Sequence, residues 1–194
     1  MKLGIIIGST REGRASDKYA AWVAEQVKKQ SKKVEAELLD LRDYPLPMFN
    51  EAVSPQYNPD RTPEPAVDAW LQKVAEKDAY IIVTPEYNRG TPGVLKNALD
   101  HIAFEMAGKP VGIVAHGSVF GAFSVAELRN IIPQLNAVTI PVFLPLPASY
   151  LAFDESGEMV DETGAAEKCR ALVDELAWYS DALSAARSKT RTSA

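Results

Sequence analysis

Cysteine occurs once in the 194 residues and histidine twice. A lone Cys169 excludes an intramolecular disulfide and any site built from several cysteines. It sits on an apolar helical stripe, where a thiol reads as packing. With two histidines and no partner cysteine, no metal cluster is expected, and a reducing, cytoplasmic compartment suits the chain. Long apolar runs are missing too: nothing approaches the roughly 20 residues needed to cross a bilayer. The apolar opening Leu3 to Ile7 is too short for the core of a secretory signal, so neither a targeting segment nor a membrane partner is expected. Nor is there a surplus of positive charge. Twenty-one Lys and Arg against 26 Asp and Glu leave −5, which argues against nucleic acid as a main partner. What is present, 46% hydrophobic and 24% charged residues, is the composition of a globular chain able to bury a core without staples.

Apolar runs and amphipathic stretches alternate. Leu3-Gly4-Ile5-Ile6-Ile7 is continuous and β-branched, as a strand covered on both faces should be. Further strands are expected at Val34 to Leu39, Ala79 to Thr84, Pro110 to Ala115 and Thr139 to Leu144. Helices fit between them at Ser16 to Gln30, Pro63 to Glu76, Pro92 to Met106 and Phe123 to Leu135, with a last one from Glu162 to Ala186. This repetition means an α/β chain with a parallel sheet and helices on both sides. One domain is expected over residues 1–186, followed by a polar, frayed tail at 187–194. Tyr44 to Pro65 carries too many prolines for regular structure, and a loop of that length is usually functional or covers an interface.

Ligands of an open parallel sheet bind beyond the carboxyl ends of its strands. Three loops leave those ends. The first, Gly8 to Ser16, joins a strand to a helix, where free N–H groups and the helix dipole favour an anion. Ser9, Thr10 and Ser16 add hydroxyls, while Arg11 and Arg14 add charge, a set suited to a monophosphate; a plainer reading makes Ser16 a helix cap and the arginines solvated. The spacing is neither Gly-x-Gly-x-x-Gly nor a Walker loop, which disfavours ATP or a dinucleotide here. The second loop, Thr84 to Gly93, holds Pro85, Glu86, Tyr87, Asn88 and Gly90; Tyr87 offers a planar ring for a flat cofactor, against the alternative of a plain turn and helix cap. The third, His116 to Phe123, has Gly117 and Gly121, which would let a flat ring approach the main chain, with Ser118 between them. His116 is either a proton donor or structural, and His101 reads as packing or interface.

Gly8-Ser9-Thr10-Arg11 with Arg14 and Ser16, then Thr84-Pro85-Glu86-Tyr87-Asn88 with Pro92-Gly93-Val94-Leu95-Lys96-Asn97-Ala98-Leu99-Asp100, resemble the NADPH-dependent FMN reductase family of the flavodoxin-like superfamily over about the first 145 residues. The resemblance implies a flavodoxin-like three-layer sandwich with strand order 2-1-3-4-5. It implies FMN, with the phosphate held by Ser9, Arg11 and Ser16 and the ring lying against Pro85 to Asn88 and against Gly117 and Ser118. NADPH or NADH would be the electron donor and a small quinone, flavin, azo compound or metal oxyanion the acceptor, in a ping-pong cycle. The flavin N5 would carry the chemistry with no catalytic side chain. Members form homodimers or homotetramers. Two positions depart from the pattern. Arg89 follows Asn88 where a small or neutral residue is common; it could attract a nucleotide phosphate or an acidic substrate, or be a solvated charge. Arg14 and Ser16 replace a Ser-x-Asn. The alternatives are a flavodoxin-type electron carrier, which lacks a nicotinamide site, and a non-enzymatic regulatory protein on the same fold.

Overall fold

The computed structural model describes residues 1–191. Five parallel strands form one sheet in the order β2-β1-β3-β4-β5: β1 Lys2–Ile7, β2 Glu35–Asp40, β3 Ala79–Pro85, β4 Pro110–His116 and β5 Val138–Leu146. The flavodoxin-like order read from the resemblance is therefore the observed one. The three inner strands are buried almost throughout, because helices cover both faces, and this is why their sequences are unbroken apolar runs. The edge strands β2 and β5 are only partly buried, and β5 accommodates Pro141 and Pro145 where an unpaired edge makes a missing N–H harmless.

Two cores result, one on each face. Helices α1 (Ser16–Gln30) and α6 (Glu162–Arg191) pack Tyr19, Val23, Val27, Leu172, Val173 and Leu176 against Leu3, Ile5, Ile81, Val83 and Val114. Helices α2 (Pro65–Ala75), α3 (Gly93–Asp100) and α4 (Ala122–Ile131) pack Trp70, Leu95, Leu99 and Leu128 against Ile6, Tyr80, Ile82 and Ile113. Residues alternate between the two cores along each inner strand, as a period of two requires. Cys169 is fully buried in the first core, where burial pushes its thiol pKa up to about 12, in keeping with packing. A short helix α5, Ser149–Ala152, follows β5.

Several boundaries differ from the sequence reading. α2 starts at Pro65 and α3 stops at Asp100; α4 gives way to a 3-10 turn at Ile132–Leu135. The expected frayed tail is helical as far as Arg191, and residues 192–194 lie outside the described residues. The continuation has a tertiary cause: the Arg187 guanidinium donates to the Gly108 carbonyl and so ties the last turns to the chain ahead of β4. The proline-rich segment holds a 3-10 turn at Pro55–Tyr57 and is anchored by side chains. Asn97 accepts from the Phe49 N–H at 2.8 Å and donates to the Pro47 carbonyl at 2.9 Å, while Arg61 grips Glu51 and the His101 carbonyl. His101 is buried here as packing, its Nε2 3.1 Å from the Pro47 carbonyl.

Candidate cofactor site

The strand order brings the three loops together. β1 lies between β2 and β3, and β3 pairs with β4, so the loops that follow these strands share one edge of the sheet. Ser9 from the first and Tyr87 from the second meet directly: their hydroxyls share a hydrogen bond of 2.7 Å across 78 positions of chain. Arg11 extends over the Tyr87 ring, its guanidinium carbon 5.5 Å from the centroid.

In the first loop Ser9 is buried and its hydroxyl also accepts the Arg11 N–H at 3.4 Å. Arg11 is exposed, free to face an anion, and Thr10 is half-buried. Arg14 is different. Expected as an anion ligand, it is 8% exposed and points inward. Its guanidinium clasps both oxygens of Asp40, one at 2.6 Å, and donates to the Ser9 carbonyl at 2.7 Å. Burial opposes charge on Asp40, but Arg14 and the Arg42 N–H outweigh it and hold the carboxyl below its ordinary range. Ser16 also departs from expectation. It opens α1 without capping it, and its buried hydroxyl lies 2.9 Å from His116 Nε2.

The second loop is a tight hairpin. The N–H and C=O of Tyr87 exchange hydrogen bonds with those of Gly90, at 3.0 and 3.1 Å. Asn88 and Arg89 between them take φ of 50° and 68°, as a type I′ turn demands. Asparagine tolerates this region, whereas arginine there costs about 1 kcal/mol. Arg89 lies over the exposed Phe123 ring at 4.7 Å. Glu86, expected to meet a ring, instead accepts the Phe123 N–H at 3.0 Å and so caps the start of α4. Pro85 is buried as the last residue of β3. Two residues outside the sequence reading brace the loop. Ser124 Oγ donates to the carbonyls of Pro85 and Gly90 at 3.0 and 2.8 Å, and Glu127 accepts the Thr91 N–H at 2.5 Å.

In the third loop Gly117 has φ 146° and Gly121 φ 68°. A Cβ on Gly121 would stand 2.5 Å from Ala115 Cβ, so that glycine serves close packing and not a ring. Ser118 is exposed at the rim. His116 stacks on Tyr19 with centroids 4.3 Å apart, and burial pushes its pKa down to about 4. It is a neutral, structural imidazole bridging β4 to α1.

Among the described residues, no protein acceptor takes the N–H of Thr10, Glu12, Gly117 or Ser118. Open amides beside an exposed arginine and two small hydroxyl side chains fit a phosphate, and open amides at a glycine with a tyrosine across from them fit the edge and face of a flat ring. The donor set thus matches a flavin mononucleotide. Asp40, Arg42, Ser124 and Glu127 lie outside the three loops read from the sequence; the end of β2, where Leu39-Asp40-Leu41-Arg42 turns from apolar to charged, is the readable signal for the first two.

A family model for NADPH-dependent FMN reductase matches residues 1–149. An NAD(P)H-dependent FMN reductase of Schizosaccharomyces pombe is 36% identical over 148 residues, covering 72% of this chain and 74% of its own. A 2-hydroxy-1,4-benzoquinone reductase from a Burkholderia species is 31% identical over 163 residues, 80% of this chain and 81% of its own. Among solved structures, the flavoenzyme NAD(P)H:(acceptor) oxidoreductase FerB of Paracoccus denitrificans matches with a TM-score of 0.70 over 93% of this chain and 97% of its own, at 22% identity. That last likeness speaks to the fold.

Proposed function

The chain belongs to the NADPH-dependent FMN reductase family, and on that premise we propose that it is an oxidoreductase holding FMN across its three loops and passing reducing equivalents from NADPH or NADH to a small acceptor. Bound there, FMN would supply the redox chemistry, a two-electron oxidation of the nicotinamide followed in ping-pong order by reduction of a quinone-type acceptor.

The chain's own part is binding and orientation. The open amides of Thr10 and Glu12, the Arg11 guanidinium and the hydroxyls of Ser9 and Thr10 would hold the phosphate. Tyr87, braced from Ser9, sets a ring plane, and Asn88 and Gly90 fix the hairpin that carries it. Gly117 and Ser118 would offer N–H donors to the edge of the flavin ring. His116, buried, holds Ser16 and Tyr19 in place. The observation that carries this reading is the 2.7 Å Ser9–Tyr87 contact, because it fixes a phosphate-type loop and an aromatic ring as one unit.

We further read residues 1–186 as one FMN-binding unit, working in the cytoplasm as a homodimer or homotetramer. Exposed Met48, Tyr57 and Phe104, on and beside the anchored proline-rich segment, support an interface there.

The test is a titration of the purified chain with FMN, followed by NADPH and NADH oxidation with a benzoquinone. Saturable flavin binding and many turnovers, with parallel double-reciprocal lines, are expected. Flavin binding without nicotinamide oxidation would make the protein an electron carrier, and no flavin binding would overturn the reading.

A further inference from the structure

Three consecutive carbonyls of the first loop point at guanidinium groups. Arg14 Nη1 donates to the Ser9 carbonyl at 2.7 Å, Arg42 Nε to Thr10 at 3.3 Å and Arg42 Nη2 to Arg11 at 2.5 Å. A loop of this length leaving a strand has no ladder to hold its peptide planes, so something else must decide which way each plane faces. Here guanidinium groups hold the Ser9, Thr10 and Arg11 carbonyls, the last of which also accepts the Arg14 N–H at 3.2 Å in a turn.

The consequence follows from peptide geometry. In a trans peptide the C=O and the following N–H point in opposite directions, and the described residues have no cis bonds. Carbonyls drawn towards Arg14 and Arg42 therefore send the N–H groups of Thr10, Arg11 and Glu12 to the other side. One of the three bends to the Ser9 hydroxyl at 3.4 Å, and the other two have no protein acceptor among the described residues. Successive N–H groups on one side form an anion-binding concavity. A plane flipped the wrong way would instead set a carbonyl oxygen against a phosphate.

Asp40 joins the two arginines. Its carboxylate takes both Arg14 nitrogens and the Arg42 N–H, the last at 3.0 Å. It stands at the end of β2, opposite Ile7 in the β1 register, directly beneath the loop. We propose, resting on the FMN reading above, that Arg14 and Arg42, linked through Asp40, are positioning residues that pre-orient the loop's peptide planes to bind a phosphate monoester, without touching the ligand themselves.

The inference predicts a split between two ligands that share a ring and differ by the phosphate. Fluorescence titration with FMN and with riboflavin would be run on the unaltered chain and on Arg42→Lys, Arg14→Lys and Asp40→Asn. Lysine keeps the charge but cannot span two carbonyls, or a carbonyl and both carboxylate oxygens. Each variant should bind FMN about tenfold more weakly, the loss of one charge-assisted contact, and riboflavin within about twofold of the unaltered chain. Arg42 is exposed, so its variant carries the test if replacing buried Arg14 prevents folding. Retention of FMN affinity in Arg42→Lys, or equal weakening of both ligands, overturns the inference. An unaltered chain that binds FMN no better than riboflavin also overturns it while leaving the flavin reading standing, whereas a chain that binds neither removes both.

Discussion

The side chains at the site divide by whether their polar atoms are already engaged. Among the described residues the Tyr87 hydroxyl meets Ser9, and the Arg11 guanidinium lies over its half-buried ring. Tyr87→Phe keeps the ring and deletes the hydroxyl that ties it to Ser9, so the chain should lose about 0.5–1.5 kcal/mol of stability, the worth of one neutral hydrogen bond, and with the ring no longer braced FMN affinity should fall as well; calorimetry measures the first and fluorescence titration the second. His116 gives a prediction about stability and not binding. Its folded pKa of about 4 lies below the value of 6.5 for a free imidazole, so below pH 6.5 the unfolded chain binds the proton first. Stability contributed by His116 is therefore complete above pH 6.5 and is lost as pH falls towards 4, by on the order of 3 kcal/mol at most. Melting curves between pH 7 and 4.5 should fall more steeply for the unaltered chain than for His116→Gln.

The elements show what was readable in the chain and what was not. β1, β3 and β4 announced themselves because both of their faces are covered, which leaves no polar alternation to misread. The ends of helices were less legible. α6 outruns Ala186 because Arg187 finds a carbonyl 79 positions away, and no local pattern encodes that. Arg14 followed the same logic: its spacing beside Ser9 and Arg11 suggested an anion ligand, but Asp40, 26 positions on, turned it inward. Glu86 and Gly121 likewise serve the start of α4 and not the ligand. Gly121→Ala, forced into positive φ with its Cβ 2.5 Å from Ala115, should cost about 2 kcal/mol or more in chemical denaturation. The proline-rich segment, opaque to pattern reading, depends on Asn97. Asn97→Ala should cost about 1–3 kcal/mol by stranding the Phe49 N–H and leaving the Pro47 carbonyl to His101 alone, and limited proteolysis should cut first between residues 44 and 64.

At the scale of the whole molecule, the cofactor loops belong to elements on both faces of the sheet: α1 packs on one, α3 and α4 on the other. A ligand that bridges them binds the folded chain and not the unfolded one. FMN at about 100 times its dissociation constant should therefore add about 2.7 kcal/mol, raising the melting temperature of a chain this size by about 5–10 °C. Riboflavin at the same concentration should raise it less, because it leaves the first loop unused. Differential scanning fluorimetry with the two ligands would show this, and equal shifts would mean that the first loop holds no phosphate.

The contact between Ser9 and Tyr87 also orders events in time. Because β1 must wait for β3, the chain emerging from the ribosome carries the first half of its cofactor cradle through synthesis of the whole of α1, β2 and α2 before the second half exists. Flavin capture should in consequence be a late step of biosynthesis, and a nascent chain stalled ahead of residue 79 should stay colourless whatever the supply of flavin.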